Sequence, residues 1–193
     1  MRYGWDGKEE IVANLLYIYP KYNMECPISP RGGGWETQLT KQYFSMSQIK
    51  EFIKQNEGRF LEDLFALIRI PSVSAQSEHK PDMQRCAEHW REHLLSLGVQ
   101  TVEIYQTAGN PIVFGHYEKD PSLPTILVYA HYDVMPPEPL ELWKSEPFEP
   151  EVRDGHIWAR GADDDKGQSM IQVKGFETAM ALGLLHCNVK FLF

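Results

Sequence analysis

From Ser47 onward, apolar residues return at steps of three and four: Ile49, Phe52, Ile53, Phe60, Leu61, Leu64, Phe65 and Ile68. That spacing draws one apolar stripe along a helix. Pro71, in "RIPSVS", ends it, because the residue before a proline is pushed out of the helical region. A second helix is expected to start near Pro81 or Asp82, with Met83, Cys86, Trp90, Leu94 and Leu97 on one face and Gly98 as its C-terminal cap. Two short strands follow, "TVEIY" and "PIVFGHY". "TILVYAHYDV" is then a continuous β-rich apolar run, which predicts a strand buried on both faces. "EPFEPEVRDGHIWARG" reads as two short extended pieces joined by a turn at Asp154 and Gly155. Met170, Val173, Phe176, Met180 and Leu184 mark a third helix, and "NVKFLF" a further strand. Helices alternating with strands around a buried run argue an α/β sandwich.

Residues 1–45 read differently. "YPKYNMECPISPRGGGWETQ" mixes Pro, Gly and aromatics with neither period, and predicts an irregular N-terminal extension. Its "RGGGW" lacks the Gly-Lys-Ser/Thr that a phosphate loop requires.

Charge and composition narrow the function. The 193 residues hold 27 acidic and 19 basic side chains, a formal net charge of −8. A nucleic-acid partner needs a basic face, so none is expected. No apolar run approaches the roughly 20 residues of a membrane helix, so no membrane partner is expected either. "IVANLLYIY" is short, follows Lys8, Glu9 and Glu10, and does not make a signal peptide. Cys26, Cys86 and Cys187 are few, odd in number and far apart, which fits reduced thiols in a cytoplasmic protein.

Two stretches carry candidate chemistry. In "AHYDV", His131 and Asp133 lie at the end of the predicted buried strand, where open α/β sheets collect ligands. A neutral imidazole is a good zinc ligand, and a carboxylate often holds its other nitrogen. The bland reading is a hydrogen-bonded histidine with a turn aspartate. In "RGADDDKG", Asp163, Asp164 and Asp165 sit between a strand and a helix start. They serve either as capping and turn residues at a helix N-terminus or, in one of them, as a metal ligand. "HWREH" offers a third pattern, His89-x-x-Glu92-His93, the inverted zincin motif. Its bland reading, a polar helix surface, is favoured because the pattern is short and lacks a distant third ligand.

Taken together, "ILVYAHYDVMPPEPLELWKSEPFEPEVRDGHIWARGADDDKG" resembles the co-catalytic zinc aminoacylase/carboxypeptidase family, and within it the carnosine-type dipeptidase branch. The resemblance runs from about Met46 to Phe193 and includes "IPSVS". It implies an α/β sandwich with a mixed, largely parallel sheet flanked by helices, an incomplete half of a zinc-peptidase catalytic domain. By motif position it implies that His131 binds one zinc, that Asp133 is the catalytic-site aspartate steadying it, and that Asp164 is the carboxylate bridging two ions. It further implies a cis peptide between Asp164 and Asp165, leaving Asp165 to geometry and the helix start.

The same resemblance implies two Zn2+ ions in the complete enzyme, with Mn2+ or Co2+ as alternatives. It also implies a dipeptide or N-acyl amino acid as substrate, and a homodimer. The family's Glu-Glu pair, supplying the general base, follows the strand matched by "NVKFLF", and the sequence ends at Phe193 before it. Residues 46–193 are therefore expected to be the N-terminal portion of the catalytic domain, inactive alone. The alternative is a non-catalytic truncated product acting as a structural or partner-binding module, with "VKFLF" as an exposed pairing edge.

Overall fold

Helix α1 spans Met46–Ile68 and buries Ile53, Leu64, Leu67 and Ile68. The computed structural model describes residues 46–193, so the expected N-terminal extension lies outside the described residues. Helix α2, Lys80–Ser96, follows a 3₁₀ turn at Ser77–His79 and carries Pro81 in its first turn, where no amide partner is missed. It buries Met83, Cys86, Ala87, Trp90 and Leu94, the predicted face apart from Leu97. Gly98 closes it at φ +86°, a conformation a side chain resists, and the Val99 amide reaches back to Leu94 O at 3.2 Å.

Six strands follow. They are β1 (Thr101–Tyr105), β2 (Ile112–Tyr117), β3 (Thr125–Tyr129), β4 (Glu151–Arg153), β5 (His156–Trp158) and, after helix α3 (Lys166–Ala181), β6 (Asn188–Leu192). The main sheet has the order β1-β2-β6-β3, and β4-β5 form a separate hairpin. The hairpin turns at Asp154 and Gly155, both at positive φ, as the two-residue turn predicts. α3 stops at Ala181, so Leu184, expected on its face, lies beyond it.

The sheet is mixed and associated with helices, as expected, but less parallel than expected. β1–β2 and β2–β6 are antiparallel, and β3–β6 alone is parallel. The short β1–β2 connection permits only a hairpin, whereas the crossover carrying α3 permits a parallel return.

Two further expectations are corrected. β3 is an edge strand rather than a doubly buried one: Ile126, Leu127 and Tyr129 are exposed. β6 holds the interior position instead, with Val189, Phe191 and Phe193 buried, so "VKFLF" is no open edge. An apolar run reports burial potential without saying which of two such strands sits inside.

The core gathers on one face of this sheet. Trp90 of α2 packs on Phe193 at 4.7 Å between ring centroids, and Phe176 of α3 meets Phe191 edge-on at 5.3 Å. Gly115 of β2 lets them close. A Cβ there would stand 3.3 Å from both Leu94 Cδ1 and Phe191 Cδ2. Along the other face of the same strands, Tyr105, Ile112, Leu127 and Tyr129 are exposed.

A polar clamp joins the three helices. Lys174 of α3 is buried, and its ammonium donates to Asp63 Oδ2 at 2.6 Å, Glu177 Oε2 at 2.8 Å and His93 Nε2 at 3.2 Å. Arg59 donates to the other oxygen of Glu177. All three ammonium donors are thus used, the condition under which a buried charge is tolerable. His93 is held neutral, its pKa lowered to about 4, by burial first and by the Lys174 charge second.

Two glycines shape the loop before α3. Gly161 sits at φ +82°, and an added Cβ would lie 2.7 Å from Val134 Cγ1. At Gly167 a Cβ would lie 2.0 Å from the Ala162 carbonyl oxygen, so the loop folds directly onto the helix backbone.

Lys174→Met is expected to destabilise the chain by about 3 kcal/mol in urea unfolding, because it removes the buried cation that Asp63 and Glu177 share and leaves both to Arg59 alone. His93 predicts an acid-side loss. Its folded pKa of about 4 lies below the ordinary 6.5, so its contribution is complete above pH 6.5 and disappears as pH falls toward 4. Urea midpoints across that window should fall in the native chain and fall less in His93→Gln. Gly167→Ala is expected to cost upward of about 2 kcal/mol, since the backbone must move to admit one methyl group. Ala substitution at exposed Gly58, inside α1, should instead stabilise by roughly 0.5–1 kcal/mol.

Candidate metal centre

β3 ends at Tyr129, and the chain continues through Ala130–Val134 as a loop, so His131 and Asp133 follow the strand rather than belong to it. This segment is still held as firmly as a strand. Val134 pairs with Val73 in an isolated parallel bridge, with the Val134 amide donating to Ser72 O at 2.9 Å. The buried Ser72 hydroxyl donates to Tyr132 O at 2.6 Å. The loop entering α3 arrives at the same place.

The predicted residues meet there. His131 Nδ1 donates to Asp133 Oδ1 at 3.0 Å and stands 3.1 Å from the Asp133 carbonyl. Its Nε2 lies 3.1 Å from Asp164 Oδ1. Asp165 Oδ2 accepts the backbone N–H of His131 at 3.0 Å, which locks the aspartate loop to the end of β3. The peptide between Asp164 and Asp165 is cis. The three adjacent carboxylates therefore divide their work: Asp165 is committed to the backbone, Asp164 faces the imidazole, and Asp163 is exposed.

Electrostatics fit a cation-seeking site. Partial burial disfavours the charged imidazole, but Asp133, Asp165 and Asp164 outweigh it and raise the His131 pKa. For Asp165 burial acts the other way and is the main cause of its raised pKa, ahead of its two neighbouring carboxylates. The side chain of Asp164 is 80% exposed and that of His131 48%, so an ion from solvent can reach both.

The pair can hold a metal. Imidazole nitrogen and carboxylate oxygen are both zinc donors, and 3.1 Å suits two ligands of one ion at bond lengths of about 2.0–2.2 Å. Among the described residues, no group of three or more His, Cys, Asp or Glu is placed to hold an ion by itself.

"HWREH" does not join this site. The His93 lone pair is occupied by the Lys174 ammonium, Glu92 is exposed, and the His89 and His93 rings are stacked 6.2 Å apart. His93 is not surface either, as the bland reading had it; it faces α3 inside the helix clamp. His79 pairs with Asp82 of α2. Cys86 and Cys187 are free and buried, and burial raises both thiol pKa values.

Sequence reasoning passed over two supports. Lys166, fully buried, donates to Leu67 O at 3.1 Å and Ile70 O at 2.6 Å, fixing the start of α3 beneath the aspartate loop. Ser74 donates to Asp133 Oδ2. Both lie in quoted motifs, but nothing in "DDDKG" or "IPSVS" says which carbonyl or carboxylate each would reach.

The chain is similar to known proteins. The model of peptidase family M20/M25/M40 matches residues 127–193. A Cys-Gly metallodipeptidase of Schizosaccharomyces pombe is 31% identical over 150 residues, covering 72% of this chain and 32% of the relative. A Beta-Ala-His dipeptidase of Rattus norvegicus is 34% identical over 161 residues, covering 77% and 33%. The solved dipeptidase Dug1p of Saccharomyces cerevisiae shares the fold with a TM-score of 0.70 at 24% identity, over 77% of this chain and 34% of that one. The chain thus spans about a third of the length of the curated relatives it matches. Residues 127–193, which hold His131, Asp133 and Asp164, are thus similar to peptidase family M20/M25/M40.

Proposed function

We propose that His131 and Asp164 are two ligands of a zinc centre. In this reading the chain forms part of the active site of a dipeptidase or related amidohydrolase, acting on dipeptides or N-acyl amino acids. The observation that carries this reading is the approach of His131 Nε2 and Asp164 Oδ1 to 3.1 Å at a solvent-open corner of the fold. Relatives named as a Cys-Gly and a Beta-Ala-His dipeptidase support the substrate class.

Each residue has a separate task. Asp133 takes the Nδ1 proton and so leaves the Nε2 lone pair for the ion. Asp165 fixes the height of the histidine through its backbone amide. Asp164, whose exposed carboxylate has a second oxygen, can serve two ions at once, as in paired-metal hydrolases. Zinc bound there supplies a Lewis acid for the scissile carbonyl and lowers the pKa of a water. Mn2+ and Co2+ share these ligand preferences.

The remaining ligands and the general base come from outside the described residues in this reading. The complete enzyme is a homodimer working in the cytoplasm, a placement supported by the two free, buried cysteines. Among the described residues no helix is long and apolar enough to cross a membrane.

A second reading, a partner-binding module without catalysis, draws on the exposed β3 edge. It predicts partner capture that is indifferent to metal and to Asp164.

Calorimetric Zn2+ titration separates the readings. The 193-residue chain is expected to bind Zn2+ weakly, and His131→Ala and Asp164→Ala each to weaken binding by about ten-fold or more. Unchanged affinity in both variants would reject the site. The same chain is expected to leave Cys-Gly and Beta-Ala-His unhydrolysed, because two ligands make an incomplete zinc site. Hydrolysis proportional to added zinc and abolished by Asp164→Ala would show that these residues suffice.

A further inference from the structure

We infer that Ser74 is a positioning residue for the metal centre, acting through Asp133 to set the tautomer of His131; this rests on the reading of His131 as a metal ligand. Asp133 meets two donors. His131 Nδ1 reaches Oδ1 at 3.0 Å, and the Ser74 hydroxyl donates to Oδ2.

The second bond matters because the carboxylate torsion of aspartate is broad and two-fold. One hydrogen bond leaves the group free to swing about its own contact. A donor on each oxygen fixes the plane. Asp133 then presents Oδ1 to the ring as a fixed acceptor. That acceptor favours the proton on Nδ1 against the pull of Asp164 Oδ1 on the other nitrogen, and so favours a free Nε2 lone pair when an ion arrives.

The segment that carries Ser74 is built for this. Residues 71–74 run beside 132–134 through the Val73–Val134 bridge. Ser72 and Ser74 flank that bridge, one on each side of Val73. The Ser72 hydroxyl, fully buried, takes the Tyr132 carbonyl, and the Ser74 hydroxyl takes the next residue's side chain. One serine therefore sets the backbone of the ligand loop and the other sets its carboxylate. The stretch is held by its own tight turn, the Val73 amide closing on the Pro71 carbonyl at 2.8 Å.

Ser74 is half-buried and loses only its hydroxyl in Ser74→Ala, so packing is little changed. The test combines two readouts on the full 193-residue chain. Long-range 1H–15N NMR of the metal-free chain, above the imidazole titration range, reports which ring nitrogen of His131 carries the proton. Zn2+ titration reports affinity.

In Ser74→Ala the fraction of the Nδ1–H tautomer should fall, and Zn2+ should bind about ten-fold more weakly. Ser74→Thr should restore both, which a purely structural role would not require. Ser74→Gly repeats the deletion should the alanine variant fold poorly. The inference is overturned if the hydroxyl-free variants keep the native tautomer and bind Zn2+ within about two-fold of the native chain. If the native chain itself binds no Zn2+ through His131, the metal reading fails. The tautomer comparison then still decides whether Ser74 governs the ring.

Discussion

A buried ammonium group organises this part of the molecule. Lys166 has no carboxylate partner; its charge is met by Leu67 O and Ile70 O, at and just beyond the end of α1. Leu67 O lies at the negative end of the α1 dipole, and each carbonyl also accepts a backbone amide, from Ile70 at 3.3 Å and from Ser72 at 2.8 Å. Removing a cation from water is costly, and burial accordingly lowers the Lys166 pKa. The cost is met only if the end of α1 and the start of α3 stand at one fixed distance. Gly161 and Gly167 let the intervening loop lie tight enough for that. Asp164 and Asp165 occupy the loop so fixed.

The site accordingly draws its precision from ends of elements rather than from any one element. Asp165 joins the aspartate loop to the end of β3, and the Val73–Val134 bridge joins that end to the segment after α1. Three separate stretches of chain are cross-linked within a few residues of His131. A ligand pair held this way needs little reorganisation when an ion arrives, which is how preorganised metal sites gain affinity.

Most of the element pattern could be read in the sequence, because helices α1 and α2 show clean three-four spacing and β1, β2 and the β4–β5 turn carry local signals. The strand placement could not. "TILVY" and "NVKFL" are equally apolar, yet one lies at the sheet edge and the other within it. Only pairing, a long-range property, distinguishes them. The convergence of the proposed metal residues is foreshadowed by two weak motifs that reinforce one another. His131, Asp133 and Asp164 were named, and they converge. Ser74 and Lys166 stayed hidden, since a hydroxyl or an ammonium finds its partner only in three dimensions. His93 misled for the same reason. Its helical face looked solvated until Lys174, from a helix far along the chain, arrived to bury it.

The interior position of β6 has a consequence in time. Among the described residues β3 joins the β1–β2 hairpin in one sheet through β6, which pairs with β2 and with β3. About 60 residues separate the end of β3 from the start of β6. At synthesis rates of about 5–20 residues per second, β3 waits several seconds before its sheet partner among the described residues exists. Throughout that interval Ile126, Leu127 and Tyr129 stand on a strand with two unpaired edges. The nascent chain is then a natural client for chaperones that hold apolar strands. A slower ribosome over residues 130–187 would lengthen the exposure without altering a single contact of the folded state.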